Sequence, residues 1–153
     1  MEVRNLDKYI ELLKELTPDN KPEWGKMSVQ HMIEHLILAV QQGNGKLTVE
    51  CFNDKEKLPM LKRYLMSSRP LPQGFVNPYI GEGLLPLKFT NIEEARTELE
   101  KEVNDYYKYF DENPEAKLTN ITFGELEKDE WGIFHDKHFI HHLKQFGLIG
   151  GIE

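Results

Sequence analysis

The chain has little cysteine, no long apolar run and no basic stripe, and each absence removes a class of function. One cysteine, Cys51, in 153 residues excludes an internal disulfide and fits a reducing cytoplasm. Standing between Glu50 and Phe52 with no histidine near it in sequence, Cys51 reads as a small buried hydrophobe and not as a nucleophile. The longest apolar run, Leu36-Ile-Leu-Ala-Val40, falls far short of the roughly 20 residues that span a bilayer. Met1-Glu-Val-Arg-Asn-Leu-Asp7 is too charged to act as a secretory signal. Nineteen basic against twenty-six acidic side chains give a net charge of -7, and no basic patch interleaves with aromatics. Such a surface repels a phosphate backbone, so nucleic acid is excluded as a partner. The expectation is a single cytoplasmic domain over residues 1–153, long enough to bury a core.

What is there is helical periodicity. Leu6, Tyr9, Ile10, Leu13 and Leu16 fit an amphipathic first helix that Thr17-Pro18-Asp19-Asn20 stops. Ser28 is placed to cap a second helix over about residues 29–42, with Gly43 at its end. Residues 55–66 read as a shorter basic helix. Asn91 is placed to cap a long one carrying Ala95, Leu99, Val103, Tyr106 and Phe110 on one face. The last helix is expected from about Lys128 to Phe146, with Gly147 ending it. The stretch of about residues 67–90, rich in proline and glycine, forbids a regular element and reads as an irregular crossover packed by its own apolar side chains. Four main helices with one long crossover describe a helical bundle, a fold that builds metal sites from facing helices.

Histidine is the second positive feature. Four of the six histidines, His135, His138, His141 and His142, fall within eight residues of the last helix, and His31 and His35 stand four apart on the second. With His138 set at zero and about 100° per residue, His142 lies at about 40°, His135 at about 60°, Gln145 at about -20° and Trp131 at about 20°. These five share a stripe, and His141 falls at its edge. A pair of imidazoles one helical turn apart can chelate one ion, but weakly, so a third ligand has to come from elsewhere. His35, at the border of the apolar face formed by Val29, Met32, Leu36 and Val40, is the candidate. His31 reads as partly solvated or as a donor behind the ligands. His135 and His141 read as structural or surface residues, with support of the ligands or proton transfer as the sharper alternative. Glu34, Asp136 and Gln145 are available to hold the far ring nitrogens, and Glu34 and Asp136 are the candidate general bases. Trp24 and Trp131 read as core, Arg69 as a surface arginine, and the acidic run 111–115 as a solvated helix exit.

In these residues the chain resembles the DinB-like family of metal-binding four-helix bundles, which includes the YfiT-type proteins. The resemblance lies in Trp24 followed by His35-Leu36 on the second helix, and in His138-Phe-Ile-His141-His142-Leu-Lys-Gln145 on the last. It implies a DinB-like four-helix bundle over the whole chain, with metal ligands His35, His138 and His142 and with water or substrate in the open positions. It also implies a homodimer and two possible chemistries, metal-dependent hydrolysis or S-transfer with a low-molecular-weight thiol. All-imidazole ligation suits zinc or nickel. The family commonly reads His-His-Arg-Gly-Gln where this chain has His142 followed by Leu143-Lys144-Gln145. That change, with the long crossover, is similar to a branch of the superfamily of unknown function. The competing class is a non-catalytic helical module, for dimerisation or as an accessory, with a degenerate site.

Overall fold

A computed structural model of the chain describes residues 4–73 and 84–150, and the fold is mainly helical. Among the described residues there are five helices and one short sheet. The helices are α1 (Asn5–Leu13), α2 (Val29–Gly43), α3 (Leu58–Met66), α4 (Ile92–Glu112) and α5 (Lys128–Gln145). The strands β1 (Leu118–Asn120) and β2 (Gly124–Leu126) form an antiparallel pair between α4 and α5. No helix among the described residues is long and apolar enough to cross a membrane.

Local chemistry sets several of the helix ends. The Ser28 hydroxyl accepts the His31 backbone N–H at 3.1 Å, and Asn91 Oδ1 accepts that of Glu94 at 2.9 Å. Glu93 and Glu94 complement the positive end of α4. A reciprocal capping box between Glu127 and Glu130 opens α5. The same helix closes with a Schellman motif: Gly147 N–H donates to the Lys144 carbonyl and Leu148 N–H to that of Leu143, at 3.0 and 2.8 Å. Gly147 has φ 73°, which glycine adopts without the strain a Cβ would bring.

Three expectations are adjusted. Gly43 belongs to the last turn of α2, which leaves the helix at Asn44. The segment expected as one helix from Lys55 starts as a 3-10 turn, Lys55–Lys57, before α3 takes over beside Pro59. The hairpin was not expected at all. Its strands of three residues are too short to show an alternating pattern, and Asn120 organises the turn by accepting the backbone N–H groups of Thr122 and Phe123 at 2.8 and 3.0 Å.

The apolar faces meet as the periodicity requires. α2 packs along α4 and against α5, α1 rests on α4 and α5, and α3 rests on α5. Leu36, Val40, Leu99, Val103 and Trp131 are fully buried where these faces converge. Within the expected crossover, residues 67–73 and 84–90 carry no helix or strand, and residues 74–83 lie outside the described residues.

Candidate metal centre

α2 and α5 run antiparallel, so that His35 of α2 faces the last turns of α5 while Gly43 faces Trp131 and His135. One ring nitrogen from each of His35, His138 and His142 lies within 4.8 Å of the other two. His138 Nε2 is the hub, 2.9 Å from His35 Nε2 and 3.2 Å from His142 Nε2. Two imidazole nitrogens bound to one divalent ion at 2.0–2.1 Å, with an angle between 90° and 110°, stand roughly 2.9–3.4 Å apart. Both contacts of His138 therefore have the spacing of ligands on a shared ion, and the third pair, His35 and His142, lies within 4.8 Å.

Protonation strengthens the point. Gln145 Nε2 donates to the Trp24 carbonyl at 3.1 Å, so Gln145 Oε1 is the acceptor that stands 2.7 Å from His142 Nδ1. His142 then carries its proton on Nδ1 and points a lone pair from Nε2 at His138. If His138 Nε2 bears a proton, it satisfies that lone pair but opposes or ignores His35. If it does not, two lone pairs face each other at 3.2 Å. Neutral imidazoles make at most one of the two short contacts a two-centre hydrogen bond, whereas a cation among the three satisfies both. Burial, followed by the neighbouring imidazoles, holds His138 and His142 well below the usual histidine range and lowers His35 to about 4. All three rings are neutral at pH 7, the form that binds a metal. Three histidines so placed could hold a metal ion.

The surroundings are also built from the two ligand-bearing helices. The Trp24 loop is tied to the end of α5: Glu23 N–H donates to the Gln145 carbonyl at 2.7 Å, and the Trp24 ring meets His141 edge-on at 5.5 Å. Gly25, at φ 82°, lets the loop pass where a Cβ would stand 3.0 Å from Gln145 Nε2. On the same side of α5, Lys137 Nζ donates to the carbonyls of Tyr64 and Ser67, at 3.3 and 2.8 Å, and His141 hydrogen-bonds the Leu71 backbone. Opposite, Glu34 of α2 accepts the N–H groups of Lys88 and Phe89 at 2.7 and 3.1 Å, while Gln30 Nε2 donates to the Phe89 carbonyl at 2.7 Å. Both described ends of the crossover are thus pinned by side chains within a turn or so of the three histidines.

The expected site residues separate accordingly. His35, His138 and His142 come together, and Gln145 orients His142. Glu34 is committed to the crossover, and Asp136 accepts from Asn5 Nδ2 at 3.3 Å and from the Tyr9 hydroxyl at 3.3 Å. No carboxylate or thiol among the described residues joins the three imidazoles. His31 Nδ1 stands 2.7 Å from the Ser28 hydroxyl, and His141 is half-buried beside Trp24. His135 is fully buried with neither ring nitrogen hydrogen-bonded, packed on Trp131, Tyr106 and Phe134. Trp131 is core, as expected, and its indole N–H reaches the Leu118 carbonyl at 3.2 Å. Trp24 is half-exposed and belongs to the site. Arg69 is exposed, and Cys51 is half-buried with its thiol 3.4 Å from the Thr122 carbonyl. The roles of Gln30 and Lys137 were missed, since a polar residue near a histidine gives no signal of which backbone it will hold.

No known family model, curated protein or solved structure matches the chain.

Proposed function

We propose that this chain is a metal-binding protein of the DinB-like type, a four-helix bundle of α1, α2, α4 and α5 that holds one divalent cation on His35, His138 and His142. The observation that carries the reading is the convergence of three neutral imidazoles whose two short contacts cannot both be two-centre hydrogen bonds. Zinc or nickel suits this donor set, which contains no carboxylate and no thiolate. Three neutral ligands leave such an ion its full charge and open positions, which supplies Lewis-acid activation for hydrolysis or for transfer of a thiol. The chain's own part is to hold the rings: Gln145 fixes the His142 tautomer, and the Trp24 carbonyl fixes Gln145.

A second reading, a non-catalytic accessory module that merely retains the site, draws on one observation. Glu34 and Asp136, the carboxylates nearest the ligands in sequence, are both committed elsewhere, so no general base stands beside the imidazoles among the described residues. Elemental analysis of untagged protein tests what the two readings share. Stoichiometric zinc or nickel in the wild type, lost in His138→Ala, is the expected result. No metal in the wild type, even after Zn2+ or Ni2+ is offered, overturns the proposal. Turnover of ester or thiol-acceptor substrates by the loaded protein then separates enzyme from module.

A further inference from the structure

His138 and His142 are sealed, at 8% and 5% exposure, but His35 is not. Its side of α2 lines a cleft of about 400 Å3 whose opposite wall is the segment 84–89, pinned at Lys88 and Phe89. Met27 and Leu38 line the α2 side, and Leu84, Leu85, Leu87 and Phe89 the other. Only five large apolar side chains are strongly exposed among the described residues, and three of them stand on this wall: Leu84 at 41%, Leu85 at 46% and Leu87 at 45%. Apolar surface left in water beside a cleft is the usual mark of a ligand that covers it.

We propose, resting on the metal reading above, that this cleft is the substrate pocket beside the metal centre and takes a neutral molecule with an aliphatic or aromatic body. The polar groups on its walls argue against an anion. Glu34 and Glu98 bring negative charge, and Lys88 is the single cation of the described lining. Glu34 is saturated by the N–H groups of Lys88 and Phe89 and by Gln30, and Gln41 Nε2 is donated to Glu102 at 3.0 Å. Those hydrogen bonds stiffen the walls and remove their polar atoms from competition for a ligand. What is left facing the space among the described residues is mostly hydrocarbon, with His35 and His31 on the α2 wall as the polar points next to the metal centre and Lys88 and Glu98 as the charged ones. The carboxylate next to the metal ligand in sequence therefore shapes the pocket by holding its far wall in place.

The test uses the full chain and the neutral dye N-phenyl-1-naphthylamine, whose fluorescence rises when it leaves water. Saturable binding is expected, weakened about tenfold or more in Leu38→Glu and in Leu87→Glu, because a carboxylate in the wall must be desolvated. Leu87 is exposed, so its variant keeps the fold even where Leu38→Glu does not. Zinc content stays at the wild-type level in Leu87→Glu. Saturating dye also slows zinc capture by the chelator 4-(2-pyridylazo)resorcinol, since His35 belongs to both the pocket and the metal centre. Dye binding that does not saturate, or that is unchanged in Leu87→Glu, overturns the pocket. So does a dimer that dissociates in Leu87→Glu without dye binding, which would assign the leucines to a second copy. Zinc binding without dye binding sinks the pocket alone, and dye binding without zinc sinks the metal reading alone.

Discussion

Two adjacent turns of α5 carry buried imidazoles on one face, and they have opposite chemical surroundings. At His138 and His142 every ring has another ring nitrogen within 3.2 Å, and the far side of His142 is held by Gln145. At His135, one turn earlier, the ring is equally buried and neither nitrogen has a hydrogen-bond partner among the described residues. Residue type, helix and burial are the same. The difference comes from the antiparallel partner: α2 presents His35 to the first turn and the bare backbone of Gly43 to the second. A buried imidazole thus becomes a candidate ligand or an aromatic spacer according to what stands opposite, which its own helix does not determine.

The largest expected effect separates the two turns directly. His138→Ala removes the hub and should lower zinc affinity more than about 100-fold, while His135→Ala should leave zinc stoichiometry intact. Competition against a chelator of known affinity measures both, and equal losses in the two variants would erase the distinction drawn between them. Next in size is Gln145→Ala. It frees the His142 tautomer and removes the anchor to the Trp24 loop, so zinc affinity should fall about 10–100-fold with stoichiometry retained at saturating metal. Unchanged affinity would show that the tautomer is set by something other than Gln145.

How much of this was legible in the sequence follows from the same contrast. Spacing of 100° per residue placed Trp131, His135, His138, His142 and Gln145 on one stripe, and all five are buried. The caps at Ser28 and Asn91 were readable because their chemistry is local. Pairing was not readable in the same way. That Glu34 holds the backbone of residues 88 and 89, and Lys137 that of residues 64 and 67, depends on where distant parts of the chain run. The hairpin escaped for a related reason: each strand is stabilised by the other and by Asn120, with too few residues for a period to show.

A third way to sharpen the contrast is acid. Burial lowers His135 to about 3 from the ordinary value of 6.5. The unfolded chain therefore binds a proton that the folded chain refuses between those values, and the associated stability is present above pH 6.5 and lost as pH falls toward 3. Between pH 7.5 and pH 5 this one group costs about 2 kcal/mol. His135→Leu, compared with wild type in urea melts of metal-free protein, should lose about that much less stability over the interval. At pH 7.5 the variant should be as stable as the wild type or more so, since an unpartnered polar ring is replaced by hydrocarbon. Parallel pH profiles would show that His135 finds a partner in solution.

The smallest effect tests the partner helix. A Cβ on Gly43 would stand 2.9 Å from both His135 Nε2 and Trp131 Cε3, closer than side-chain contacts normally come. Alanine improves helix propensity by about 1 kcal/mol but overpacks this contact at about 1–3 kcal/mol, so Gly43→Ala should be destabilising by about 1 kcal/mol. Both rings press on this point, and His135 is the one whose removal leaves the core tryptophan in place. In a Gly43→Ala/His135→Ala double variant the new methyl group enters space that the imidazole vacated. The Gly43→Ala penalty should then shrink or reverse, which chemical denaturation of the four proteins in the cycle reads as a coupling energy. Additive effects would mean that Trp131 alone enforces the glycine. A clear coupling would show that His135 is held by shape, in the place where the neighbouring turn is held by chemistry.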